Sequence, residues 1–328
     1  MTAGEMLADG GAGTMPVRIA ARQELAQGII SLELRAIGDA TLPRFEAGAH
    51  IDVFVRPDLM RQYSLCNDPA DNTHYRLAVL LEANSRGASR EIHRAFIEGQ
   101  TICIGQPRNN FPLDESAPHS LLLAGGIGIT PLLAMARRLD RIGVDFSLHY
   151  CVRNIARAAF LDEISTSAIA RRAHVHFDDG PADQRLELDL LLRSYDSATH
   201  IYVCGPQGFM DHVIAKAREA GWPEERIHLE YFNAEIDAGG EAFTVVAARS
   251  DRSIEVPANK SIAQALKDAG IDSLLSCEQG VCGTCLTVVL EGIPDHRDLI
   301  QTEQEKAENR FIAVCCSRSK SKKLVLDI

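Results

Sequence analysis

The sequence predicts a multi-domain α/β and β protein that joins an antiparallel β-barrel, a parallel α/β domain and a C-terminal β-grasp domain. Three observations predict it. Short segments with period-two alternation run from Pro16 to about Leu113, and strand, Gly-loop and helix units alternate from His119 onward. Near the C-terminus, Cys277, Cys282 and Cys285 form a C-x4-C-x2-C spacing answered by the distant pair Cys315-Cys316. At 328 residues the chain is long for one core and suggests two or three domains.

Composition narrows the function classes. A hydrophobic fraction of 46% and a charged fraction of 24% are those of a soluble globular protein. The net charge is −11 and no basic block occurs, which argues against nucleic acid or an anionic membrane as the main partner. The longest apolar run, Ser120 to Ala136, is broken by Gly125, Gly126, Gly128 and Pro131 and is too short to span a bilayer. Met1 to Thr14 has neither a basic n-region nor an apolar h-region, so a secretory signal is not expected, and its Gly/Ala content reads as a flexible tail. Cys66, Cys103, Cys151 and Cys204 sit singly in apolar segments, unlike a disulfide framework, and a reducing, cytoplasmic location fits.

In the first segment the expected strands are Val17–Ala20, Ile30–Leu34, His50–Val55 and Tyr75–Leu80, closing into a small barrel. Within it lies Arg61-Gln62-Tyr63-Ser64-Leu65. Alternate positions on a strand can offer a cation to a phosphate, a ring to a flat cofactor and a hydroxyl to a ring nitrogen, although an exposed Arg beside a core Tyr has the same spacing. Ser85-Arg86-Gly87-Ala88-Ser89 then leads into an amphipathic helix over Arg90–Ile97; it can present free backbone N–H groups to an anion or serve as plain N-capping.

The middle segment opens with a buried strand from His119 to Ala124 and a tight Gly125-Gly126-Ile127-Gly128 turn. Thr130 and Pro131 read as N-cap and first residue of a helix ending before Gly143. A helix start of this kind can receive a pyrophosphate, or be a structural turn. Strands follow at Asp145–Val152, His174–Phe177 and His200–Cys204, with a helix from Pro206 to Ala220; such alternation means a parallel sheet covered on both faces. Asn233 to Glu241 is polar and Gly-rich and reads as a linker. Beyond it come strands at Phe243–Ala248 and Ser253–Val256, a helix from Ser261 to Ala269, and strands at Leu286–Leu290 and Leu324–Leu326.

The cysteine spacing is that of a plant-type [2Fe–2S] cluster, in which thiolates converge from one loop whose glycines turn backbone N–H groups inward. Half a zinc site, or ordinary buried cysteines, are the competing readings; the second CxxC or His pair that zinc usually needs is missing.

Several of these residues carry a family resemblance. Arg61 to Leu65 resembles the flavin motif of the ferredoxin–NADP reductase superfamily, and Ser85 to Ser89 resembles the flavin-phosphate loop of its phthalate dioxygenase reductase and vanillate O-demethylase reductase branch. Gly125 to Pro131 is similar to that superfamily's G-G-x-G-x-T-P loop, and Cys204-Gly205-Pro206 to its C-G-P motif. Beyond the flexible tail expected over 1–15, which it does not cover, the resemblance implies a flavin-binding barrel over 16–114, an NAD(P)-binding domain over 115–236 and a plant-type ferredoxin domain over 237–328. It implies that Ser64 hydrogen-bonds the flavin within the Arg61, Gln62, Tyr63, Leu65 motif, and that Arg61 with Arg86, Gly87, Ala88 and Ser89 holds its tail. Phe232 is expected near the flavin and Cys204, with Ser64 the expected catalytic pair, near the nicotinamide. Gly125, Gly126, Gly128, Thr130, Pro131, Gly205 and Pro206 are expected to cradle the dinucleotide, and Arg153 to read its 2′-substituent.

The expected cofactors are FMN rather than FAD, one [2Fe–2S] cluster and NADH, with NADPH as the alternative. Hydride donors deliver two electrons together and a cluster accepts one, so a flavin must stand between them. The cluster ligands are expected to be Cys277, Cys282, Cys285 and Cys315, with Cys316 a structural neighbour: successive residues of an extended segment face opposite ways, and relatives place the ligand three positions before the Arg of a C-x-S-R ending, here Arg318. The family implies service to the terminal component of a Rieske-type aromatic oxygenase or O-demethylase. A different acceptor such as a cytochrome P450, a quinone or a metal, or a non-catalytic metal-binding module, are the alternatives.

Overall fold

The structure is a computed structural model that describes residues 13–56, 59–82, 87–196, 198–232, 237 and 239–328. The chain divides into two compact units, Met1–Phe232 and Asn233–Ile328.

The first unit begins with an antiparallel barrel of β1 (Thr14–Ala26), β2 (Ile29–Ala36), β3 (His50–Arg56), β4 (Leu59–Ser64), β5 (Tyr75–Leu80) and β6 (Thr101–Gly105), in the order β4-β3-β6-β1-β2-β5. Alternating apolar residues account for it. Val17, Ile19, Leu32, Leu34, Ile51, Val53, Leu77 and Val79 all point into one buried cluster. The seam between β4 and β5 is held by the Cys66 N–H, which donates to the Arg76 carbonyl at 2.8 Å. β1 starts earlier than expected: Thr14 and Met15, assigned to the tail over 1–15, pair with Gly105 and Ile104 of β6, whose free edge they satisfy. Helix α1 (Ala88–Ala95) also begins two residues before the expected Arg90, following Gly87 at φ 111°, so Ala88 and Ser89 lie in its first turn. It buries Ile92 in the barrel core and lies against β3, β4 and β5.

The same unit continues with β7 (His119–Gly125), α2 (Ile129–Ile142), β8 (Asp145–Val152), α3 (Leu161–Thr166), β9 (Ala173–Phe177), α4 (Leu188–Arg193), β10 (His200–Cys204), α5 (Gln207–Glu219) and β11 (Ile227–Glu230). The sheet is parallel, with order β11-β10-β7-β8-β9. Burial on both faces explains the unbroken apolar run of β7. Leu122 and Ala124 enter one core and Leu121 and Leu123 the other. The first of these cores also takes in Ile29, Ala47, Cys66, Ala78 and Phe111 from the barrel and loops, which welds barrel and sheet into one unit. α2 starts at Ile129 after a 3-10 turn over Gly126–Gly128, so Thr130 is not its N-cap: the Thr130 hydroxyl donates to the Ile127 carbonyl at 3.0 Å, and Pro131 is third in the helix, where an N–H would have no intrahelical partner. Gly143, at φ 73°, ends it as expected.

The second unit contains β12 (Phe243–Ala247), β13 (Arg252–Val256), α6 (Ile262–Asp268), β14 (Leu286–Glu291), β15 (Pro294–Asp295), α7 (Glu303–Glu308), β16 (Phe311–Ala313), β17 (Arg318–Ser319) and β18 (Lys323–Leu326). Five strands form a sheet in the order β13-β12-β18-β14-β16, β12 and β18 running parallel, with α6 packed on it: a β-grasp. α6 is fixed by a capping box in which the Ser261 side chain accepts from Gln264 N–H and Gln264 reciprocates. The same device, Thr302 with Glu305, starts α7, which the sequence reading passed over although T-x-x-E is its signal. Most of the expected linker from Asn233 to Glu241 lies outside the described residues. Among the described residues no helix is long and apolar enough to cross a membrane.

Candidate active site and metal centre

In the second unit Cys277, Cys282, Cys285 and Cys315 are all buried and their sulfurs meet. Cys277 lies within hydrogen-bond range of Cys282 and Cys315, and Cys315 of Cys285. The loop achieves this through Gly280, at φ +71°, where an added Cβ would stand 2.5 Å from the Cys316 Sγ. The Gly280 carbonyl accepts from Leu299 N–H at 2.9 Å, and the Gln279 N–H donates to the Cys277 sulfur at 3.3 Å. Backbone donors aimed at sulfur, with four soft thiol ligands, are what an iron–sulfur cluster requires. No group of three or more His, Cys, Asp or Glu among the described residues is disposed to hold a single metal ion, so the fit rests on the donor set and the loop.

Cys315 and Cys316 do not lie on an extended strand. They follow β16 in a turn, and both are buried. The Cys316 Sγ rests against Gly280 and donates a long bond of 3.7 Å to the Ala313 carbonyl. Arg318, the family's landmark, is buried and spans the carbonyls of Lys260, Glu241 and Pro257 at 2.5, 2.9 and 3.0 Å, with its guanidinium over the Phe243 ring.

In the first unit the decisive geometry is the reversal of strand order between β7 and β10. Chain direction diverges there, so the loops after both strands leave a crevice at their carboxyl ends. Gly125 ends β7, Gly126 and Gly128 follow it, and Gly205 and Pro206 follow β10. The two loops touch so closely that a Cβ on Gly128 would stand 2.2 Å from the Cys204 carbonyl oxygen. Cys204 is fully buried. Its register partner on β11 is Glu230, whose carboxylate accepts from the Ser64 hydroxyl of β4 at 3.3 Å. Burial pushes the Glu230 carboxyl up to about 8 against a smaller downward pull from Ser64, and burial with the Glu230 charge raises the Cys204 thiol well above its usual range. Ser64, Cys204 and Glu230 thus come from the barrel and from two adjacent sheet strands to one place. Glu230 is not singled out by the sequence; its bond to Ser64 and its register with Cys204 bring it to the candidate site. Its signal was a carboxylate at the end of the apolar strand Ile227–Glu230.

The remaining motif residues are placed as follows. On β4, Arg61 Nη1 donates to the Met60 carbonyl at 2.7 Å, Gln62 donates to Asp52 at 3.3 Å, and Tyr63 is partly buried, with burial raising its hydroxyl. Asp52, which is buried, also holds the exposed Arg108 at 2.7 Å, an ion pair beside the motif that spacing alone did not reveal. Leu65 is in the barrel core. Gly87 is the N-cap of α1 with no side-chain cap, Ala88 is buried, and the Ser89 hydroxyl accepts from Glu82 N–H at 3.2 Å. Arg86 lies outside the described residues. Phe232 is half-buried against the core shared by barrel and sheet. Arg153, just past β8, is exposed, and the Asp178 and Asp179 backbones join its strand end through N–H bonds to Val152 at 3.0 Å and Arg153 at 3.1 Å.

The comparisons with known proteins agree with this architecture. Residues 245–320 match the 2Fe-2S iron-sulfur cluster binding domain and residues 122–214 the oxidoreductase NAD-binding domain. The chain is 46% identical over 314 residues to the vanillate O-demethylase oxidoreductase of Pseudomonas sp. strain HR199, covering 95% of this chain and 99% of that protein. It is 39% identical to the solved phthalate dioxygenase reductase, with a TM-score of 0.74 and complete coverage of both chains. The chain belongs to the family of these oxygenase reductases. The reductase is therefore an NAD(P)H-dependent flavin iron–sulfur oxidoreductase, an electron-transfer protein of multicomponent oxygenase systems. It also matches, at 36% identity and a TM-score of 0.83, an intact type IV self-sufficient cytochrome P450 monooxygenase, covering 96% of the reductase and 41% of that chain.

Proposed function

We propose that this chain carries electrons from NADH through FMN and a [2Fe–2S] cluster to a separate Rieske-type oxygenase or O-demethylase acting on an aromatic compound. The observation that carries the reading is the meeting of Ser64 with Glu230 beside Cys204, at the crevice where a dinucleotide binds in sheets of this order. Bound flavin and cluster supply the conversion of a two-electron donor into single electrons. The chain's residues do the rest. Ser64 presents a hydroxyl held by Glu230, and burial of Glu230 favours its uncharged form, which limits buried negative charge in the crevice. Cys204, kept as a thiol, fills the strand end without adding charge.

In this reading the flavin domain spans 16–114, the nucleotide domain 115–236 and the cluster domain 237–328. Arg61, Gln62, Tyr63, Leu65, Phe232 and the start of α1 hold FMN, the backbone N–H groups of the first turn after Gly87 being suited to its phosphate. Gly125 to Pro131 and Gly205-Pro206 take the pyrophosphate. Preference for NADH is supported by Asp178 and Asp179, whose backbones bond the end of β8 at Val152 and Arg153, so that two acidic residues join the segment where a 2′-phosphate would be read. Cys277, Cys282, Cys285 and Cys315 ligate the cluster, supported by the sulfur contacts above. A cytoplasmic location is supported by Cys66, Cys103, Cys151 and Cys204, which are buried singly as thiols rather than joined in disulfides.

The names of the vanillate and phthalate relatives favour an aromatic-compound oxygenase as acceptor, and the self-sufficient P450 supports a second reading with a P450 acceptor. Purified protein titrated with NADH tests the core: flavin and iron–sulfur absorption should bleach together, and acid-released flavin should run as FMN. Turnover with a Rieske-type demethylase but not with a P450 decides the acceptor.

A further inference from the structure

A closed ring of hydrogen bonds joins the barrel to the nucleotide domain close to Ser64. The Cys66 N–H and S–H both donate to the Arg76 carbonyl, at 2.8 and 3.2 Å, and the Cys66 carbonyl accepts from Arg137 Nη1 at 2.8 Å. Arg76 Nη1 donates to Glu163 Oε2 at 2.6 Å, and the other Glu163 oxygen takes Arg137 Nη2. One carboxylate thus gathers two guanidiniums from different elements, β5 and α2; Arg137 reaches the peptide two residues beyond Ser64 through its guanidinium, and Arg76 through its main-chain carbonyl. Glu163 itself is anchored by Phe160 at the start of α3, in a left-handed turn at φ 63°, with the Arg76 guanidinium 5.1 Å from the Phe160 ring centre.

Arg137 lies on α2, whose first turn follows the Gly125–Gly128 loop, about 12 Å along the helix axis from Ile129. Ile129, Leu132, Leu133, Met135, Ala136 and Leu139 are all buried, so the helix cannot shift without opening the core. We infer that Arg137 is a positioning residue for hydride transfer, making α2 a strut between the nucleotide loop at its start and the Ser64 to Cys66 backbone. The inference rests on the proposal that Ser64 faces the flavin and that the Gly loop holds the dinucleotide. It adds that their spacing is set by Arg137 and its Glu163 clamp, away from the cofactors.

The test is stopped-flow reduction of the fully loaded chain by NADH and by NADH deuterated at the transferred position. In Arg137→Gln the limiting rate of flavin reduction should fall by about ten-fold or more, as misplacement at a distance does. The Kd for NADH should stay within about three-fold and the isotope effect should persist, because the nucleotide still binds but meets the flavin in poorer alignment. Arg137→Lys, which can reach the Cys66 carbonyl with one donor, should recover part of the rate. If Arg137→Gln does not fold with flavin, Glu163→Gln decides, with a loss of the limiting rate in the same direction. An unchanged limiting rate in a folded, flavin-loaded variant, or a loss confined to Kd, would overturn the inference. Absence of NADH-driven bleaching in the unaltered chain would instead refute the functional proposal beneath it.

Discussion

Cys315 and Cys316 are neighbours in the chain with different surroundings: one faces the thiols of Cys277 and Cys285, the other packs on Gly280. Cys315→Ala is expected to abolish the reduced-cluster EPR signal while NADH still bleaches the flavin, since hydride transfer lies upstream, and Cys316→Ala is expected to keep both. Equal loss from either substitution would contradict the assignment. Glu230 allows a second test at this scale. Its carboxyl is raised from 4.5 to about 8 in the folded chain, so between those values the unfolded state holds fewer protons and stability falls as pH rises. Glu230→Gln should flatten that fall in thermal melts recorded from pH 5 to 8. The family landmark pointed to Cys315 from the sequence, but not through the argument from an extended strand, because the two cysteines occupy a turn. The role of Glu230 was not legible, since a carboxylate at a strand end looks solvated until the barrel covers it.

At the scale of elements, β8 to β11 carry histidines on their faces. His149 of β8 lies with His174 and His176 of β9 in a stack, its Nδ1 3.0 Å from the His176 Nε2, and His200 and His228 are paired similarly between β10 and β11. Burial, then the neighbouring imidazoles, pushes His149 down to about 3 and His228 to about 4 from an ordinary 6.5. Unfolding lets these rings take up protons, so the stability they contribute is present above pH 6.5 and is lost as pH falls towards those values. His149→Gln should therefore reduce the acid sensitivity of the first unit's unfolding between pH 6.5 and 4, as followed by flavin release. An unchanged acid transition in that variant would assign the sensitivity elsewhere. The strands themselves were legible from alternation and apolar runs, whereas the short α3 and α4 were not, because six residues carry too little helical period to be read.

For the whole molecule, the two units have separate cores and separate cofactor assignments. Removing iron with a chelator should lower the melting transition of the second unit and leave that of the first within about 2 °C, since binding stabilises only the unit that contains the ligands. A chain ending at Phe232 should still bleach with NADH yet fail to pass electrons to a purified oxygenase. A single cooperative melt that shifts as one on chelation would count against this division. Sequence alone determined the order of modules and the class of each fold, and it pointed to the proposed thiol ligands, because period, Gly placement and cysteine spacing are local properties that survive without a partner. Only the tertiary structure decided that Glu230 meets Ser64, that Asp52 pairs with Arg108, and that Arg76, Arg137 and Glu163 converge on Cys66. These contacts join residues dozens of positions apart, and buried charge is tolerated only where folding brings its partner within reach.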